Sequence, residues 1–220
     1  MTTPPTSESW RPKNAWVCLA IMALATILFG MWLVIMSGSK GSRLIHLRLE
    51  HLAILQLAGS FLWLGITVYL SRIQSWEDFK ISFGLTRASP QHLLTGIGLG
   101  LFAAIIFHSL ADHGAPVGLE WNLPINAWTL TVLMAAFFEE PIFRGYLYTS
   151  FRNRFSQVLS TALVSATFVA IHPQVWHSFA AFAAIVILSI LLCVLREKTM
   201  NLWPSIACHF AYNFYGSGWS

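Results

Sequence analysis

Charge is what this sequence has least of. Asp, Glu, Lys and Arg make up 10% of its 220 residues, while 56% are hydrophobic and the mean hydropathy is +0.63. Soluble domains carry about 25% charged residues. So few charges cannot cover a water-exposed surface, so lipid is expected to cover much of the chain. The net charge of +4 is modest. No Lys/Arg cluster with interleaved aromatics forms a stripe, which argues against a nucleic-acid partner. Cysteine is scarce as well. Cys18, Cys193 and Cys208 all lie in apolar stretches. They show neither metal-ligand spacing nor a disulfide framework, so they read as small apolar packing residues. No internal repeat stands out. The His-Glu-x-x-His zinc motif is absent, and so is Gly-x-Ser-x-Gly. Ser165 and Ser205 have no evident base partner.

What the chain has in quantity is apolar runs. A helix needs roughly 20 apolar residues to cross a bilayer. Seven segments approach this: Trp16–Met36, His51–Ser71, His92–Ala111, Ala127–Ser150, Gln157–Ile171, Phe179–Leu195 and Trp203–Tyr215. The fifth and last are short. The expected fold is therefore an all-α, polytopic transmembrane bundle. Residues 1–14 are polar, carry three prolines and read as a disordered tail, with a single transmembrane domain over 15–220. Pro90 and Pro204 sit where helices begin. Trp76–Leu85 mixes charges with Trp76, Phe79 and Phe83, as an interfacial segment or a loop would. Gly96 and Gly100, four apart on an apolar helix, suit close helix approach rather than a phosphate loop.

Basic residues favour a cytoplasmic N-terminus. On that topology nine of the 13 Lys and Arg face the cytoplasm, Arg196 among them, and three lie outside. Lys40, Arg43 and Arg48 in the first loop run against the rule. A second difficulty is depth. His172 lies 18 residues past Arg154, about 27 Å of helix, and Glu139 lies 13 before Arg152, about 20 Å.

Ionisable groups inside an apolar span are costly, which makes them functional candidates. Three motifs carry them. In Phe138-Glu139-Glu140-Pro141-Ile142-Phe143-Arg144, Glu140 and Arg144 are four apart and can pair. Glu139 points about 100° away around the helix and lacks a local partner. One carboxylate can thus be structural while its neighbour reacts. Pro141 removes a backbone donor and predicts a distortion there. Phe168 and His172 share a helix face, as do His209 and Asn213. Converging in a bundle core, Glu139 and His172 could take a proton from water. His209 and Asn213 could donate to an oxyanion. Glu139, His172 and His209 also form a conceivable zinc set, and that alternative stays open. A non-catalytic immunity or scaffold protein and an ion pathway are the rival classes.

Glu-Glu-x-x-x-Arg, Phe-x-x-x-His and His-x-x-x-Asn, in order and in separate apolar segments, resemble the CAAX-protease and bacteriocin-processing family (CPBP, or Abi) of intramembrane endopeptidases. The resemblance covers roughly Gly84 to Tyr215. It implies that Glu139 and His172 activate water, that His209 and Asn213 hold the oxyanion, and that Glu140 and Arg144, with Phe168, support them. It favours a metal-free glutamate mechanism. The implied substrate is a membrane-embedded or lipidated protein cut near its C-terminus. A prokaryotic plasma membrane is the expected location.

Overall fold

A computed structural model describes residues 10–36, 49–110, 134–172, 175–176 and 178–218. The described residues are helical, with no strand among them. The helices are α1 (Pro12–Met36), α2 (Leu49–Ser71), α3 (Trp76–Phe83) and α4 (Pro90–Leu110). They continue with α5 (134–152), α6 (Gln157–Ala170), α7 (Phe179–Thr199) and α8 (Trp203–Gly218). Six of the expected segments fall on α1, α2, α4, α6, α7 and α8. The fourth falls on α5, and its expected start lies outside the described residues.

Among the described residues, two stretches are long and apolar enough to cross a membrane, Pro90–Phe107 and Phe179–Thr199. Pro12–Ala25, Leu57–Ser71 and Gln157–Ala170 are shorter apolar helices. Large apolar side chains face outward on many of them, including Leu24, Ile27, Phe61, Leu94, Phe102 and Phe179. A water-soluble surface rarely exposes apolar area so widely. A groove of about 880 Å³ between α6 and α7 is lined mainly by apolar residues such as Val158, Phe182 and Val186.

Local sequence sets the helix ends. Ser75, Ser156 and Ser178 each cap a helix, accepting from the N–H of Asp78, Leu159 and Ala181. Pro90 opens α4 and Pro204 is the second residue of α8, as expected. The segment expected as loop or interfacial is helix α3, and its Phe83 is fully buried. Phe83 occupies the space a Cβ on Gly145 would need, so α3 packs directly on α5.

The expected tail also changes. Its first nine residues lie outside the described set, but Trp10 is 1% exposed, and α1 begins at Pro12. The Trp10 ring meets Phe83 and Tyr146 edge-on, and its carbonyl accepts from the Asn153 side chain at 3.0 Å. A large aromatic buries enough area to order a polar stretch around it.

Gly96 and Gly100 behave as their spacing predicts. A Cβ at either would collide with a carbonyl of α8, that of Pro204 or Cys208. Helices α4 and α8 therefore touch backbone to backbone. His209 follows Cys208 directly, so this contact fixes its height. The depth difficulty resolves too. Measured from the turn at 153–156, Glu139 is 14 residues back and His172 is 16 residues on. At helical rise these are about 21 and 24 Å, so the two arrive at similar depth.

Candidate active site

Glu139 and Glu140 end the regular part of α5. From Pro141 to Leu147 the helix widens into a π-helix, in which the Tyr148 N–H reaches the Phe143 carbonyl. The distortion expected at Pro141 takes this form. Proline supplies no N–H to the regular ladder, and π-turns within α-helices are often found at functional sites.

The predicted Glu140–Arg144 pair is present and wholly buried, with Arg144 Nη1 donating to Glu140 Oε1 at 3.0 Å. Arg144 Nη2 donates to Ser189 Oγ at 2.7 Å and to the Ser189 carbonyl at 3.2 Å. The guanidinium also lies over the Phe168 ring, 4.4 Å from its centre. It therefore joins α5, α6 and α7. Glu140 Oε1 takes a second donor, His209 Nδ1, at 2.8 Å. A carboxylate only accepts, so this nitrogen carries the proton.

His172 has its tautomer fixed in the same way. Its Nδ1 lies 2.6 Å from the Phe168 carbonyl. That carbonyl is an orphan acceptor at the C-terminal end of α6, so Nδ1 donates. Nε2 of the neutral ring then offers a lone pair. It faces Glu139 Oε2 at 3.9 Å, and His209 Nε2 lies 4.0 Å from the same oxygen. Both separations are too long for a direct hydrogen bond. Glu139 Oε2 is buried and has no hydrogen-bond partner among the described residues, and Glu140 Oε2 has none among them either. Glu139, which lacks a local partner in sequence, thus faces two imidazole rings across space.

Phe168 is the hub of this centre. Its ring meets His172 at 4.5 Å, His209 at 5.9 Å and Phe143 at 5.1 Å between centroids. Glu139, Glu140, Arg144, Phe168, His172 and His209 are therefore brought together. Asn213 stands one turn beyond His209, half-buried, and its side chain makes no hydrogen bond with the described residues.

Two contributors escape the sequence reading. Ser189 looks like any small residue in an apolar helix, and nothing in its surroundings marks it. Arg196, counted above among cytoplasmic charges, is instead buried at 7% exposure and donates its Nε to the Arg144 carbonyl at 3.3 Å. Its neighbours Glu197 and Lys198 make it look like part of a polar helix end.

Among the described residues, no group of three His, Cys, Asp or Glu is arranged to hold a metal ion.

The architecture and the centre define a class: an all-helical protein, with helices suited to a membrane, that buries carboxylates, imidazoles and a guanidinium in its core. Residues 121–215 match the family model described as type II CAAX prenyl endopeptidase Rce1-like. The match, over less than half of the chain, supports the likeness to the CAAX-protease (CPBP) family. It contains every candidate site residue, and it starts later than the Gly84 at which the resemblance begins. No curated protein and no solved structure matches the chain.

Proposed function

We propose that this chain is an intramembrane endopeptidase that uses a water activated by Glu139 and His172. The supporting observation is that two acceptors, Glu139 Oε2 and the lone pair of His172 Nε2, face each other across 3.9 Å. Two acceptors cannot bond directly, but one water can donate a hydrogen to each. Glu139 takes the water's proton as the oxygen attacks the scissile carbonyl carbon. The carbonyl oxygen becomes an oxyanion, held by His209 Nε2–H and the Asn213 amide. Donation from Nε2 while Nδ1–H is bonded to Glu140 makes His209 an imidazolium, and the Glu140 carboxylate faces that charge at 2.8 Å. Collapse of the tetrahedral intermediate breaks the C–N bond, and the leaving amine takes the proton from Glu139. Glu140 and Arg144 fix His209 and the π-turn and do not exchange protons with substrate. A positioned general base contributes about 10²- to 10⁴-fold. No metal takes part in this mechanism.

The substrate is a membrane-anchored or lipidated protein cut near its C-terminus. The family description, prenyl endopeptidase, supports a lipid-bearing substrate. The apolar outer faces support a location in a membrane. The full topology is seven spans with the N-terminus in the cytoplasm of a prokaryotic cell.

The test pairs wild type with Glu139→Gln in the native host and compares C-terminal peptides of membrane and secreted proteins. A small set left untrimmed only in the variant is the expected result. Identical proteomes would end the catalytic reading.

A further inference from the structure

Arg196 lies outside the three motifs, and the proposed mechanism gives it no task. It is buried, and it sits at the C-terminal end of α7. Burying a guanidinium is expensive unless something binds it. The carboxylate beside it, Glu197, is turned instead to Arg152 and Tyr148. Arg196 Nη1 has no hydrogen-bond partner among the described residues. The hydrogen bond it does make is specific: Nε donates to the main-chain carbonyl of Arg144, inside the π-turn.

The guanidinium lies close against the main chain at Gly84. Gly84 ends α3 in the left-handed region, at φ +74°. A Cβ there would stand 2.5 Å from Arg196 Nη1 and 2.9 Å from its Cζ. Gly84 is also tied into place, because its carbonyl accepts from the Leu202 N–H at 2.8 Å. Glycine satisfies two demands at once here, the positive φ and the close approach.

We propose that Arg196 is a positioning residue for the buried centre. Through its Nε it holds the Arg144 carbonyl, and so holds the π-turn in the form that aims Arg144 at Glu140, the carboxylate that bonds His209. Gly84 is its steric partner, leaving the guanidinium the space to reach that carbonyl. The consequence for cleavage rests on the proposed endopeptidase reading; the consequence for the π-turn does not.

Two substitutions separate the hydrogen bond from bulk and charge. Both Arg196→Met and Arg196→Gln remove the charge and keep a linear chain. Gln places an amide N–H at the level of Arg Nε, and Met places a methyl there. Hydrogen exchange of the peptide covering 141–149 reads the turn directly. Cleavage of a membrane-anchored peptide reads the centre, with Glu139→Gln as the activity blank. Arg196→Met is expected to speed exchange across 141–149 and to lower kcat about tenfold or more at a KM within about twofold, because small misplacements of a reacting group are costly. Arg196→Gln is expected to stay near wild type in both. Gly84→Ala is expected to reproduce Arg196→Met, and the double variant to be no worse than the worse single one.

If Met and Gln behave alike, or if exchange across 141–149 is unchanged in Arg196→Met, the inference is overturned. Activity that persists in Glu139→Gln would instead overturn the endopeptidase reading and leave the exchange result to judge Arg196. Should Arg196→Met fail to accumulate in the membrane while Arg196→Gln does, the hydrogen bond is again what matters. Loss of both variants, with Gly84→Ala at wild-type exchange, counts against it.

Discussion

Two polar clusters join α5 to α7, and they are built on opposite principles. Near the C-terminal end of α5, Glu197 is saturated. Arg152 donates to both its oxygens at 2.9 to 3.3 Å, and the Tyr148 hydroxyl donates to Oε2 at 2.9 Å. The hydrogen bonds that Arg152 donates to Glu197 in turn raise the Arg152 pKa above its ordinary value. About three turns earlier on α5, the centre around Glu139 is unsaturated. Glu139 Oε2, Glu140 Oε2 and Arg144 Nε are buried without hydrogen-bond partners among the described residues. A cluster that only joins helices leaves no bonding capacity unused. A cluster that must receive water and a peptide group keeps some open, and that unused capacity points to the working end of the helix pair.

The contrast can be broken in graded steps. Arg144→Met should have the largest structural effect. It leaves Glu140 charged and buried without its main partner, at a cost of about 3–5 kcal/mol. The readout is a fall in thermal midpoint, or loss of folded protein from the membrane. Asn213→Ala should leave folding intact and lower cleavage about 10²- to 10³-fold, as removal of one oxyanion donor does. A wild-type rate in that variant would remove Asn213 from the mechanism. Gly100→Ala forces α4 off the Cys208 carbonyl and should cost about 1–3 kcal/mol, with cleavage falling alongside stability because His209 moves with the contact. Arg152→Ala, at the saturated and partly exposed cluster, should cost only about 1 kcal/mol and leave the rate per folded molecule unchanged. Chelation should change least of all, with cleavage persisting in 1,10-phenanthroline.

Much of this was legible because polar residues in apolar spans have few bland explanations. Glu140 and Arg144, four apart, announce their ion pair, and Gly96 and Gly100 announce the close approach of α4. Pro141 marks the helix distortion. The π-turn it widens into is packed by tertiary contacts, including the ring of Phe83 against Gly145, and spacing alone does not report these. Arg196 and Trp10 misled for a common reason. Each sits among polar neighbours, and local composition cannot say which member of such a group turns inward. Ser189 was silent because a serine in an apolar helix usually bonds its own backbone; here it serves Arg144 instead. The tautomers of His172 and His209 needed the structure, since only partner atoms across space decide them.

The central claim is that two adjacent glutamates divide the labour: Glu139 reacts and Glu140 supports. Purified wild type, Glu139→Gln and Glu140→Gln, reconstituted in liposomes with a membrane-anchored peptide, test it in one experiment that records thermal midpoint and cleavage rate together. The account predicts that Glu139→Gln keeps its midpoint and loses about 10²- to 10⁴-fold in rate, while Glu140→Gln loses midpoint first and activity with it. A Glu139→Gln protein that still cleaves at the wild-type rate, or two variants with the same midpoint and the same rate, would contradict it.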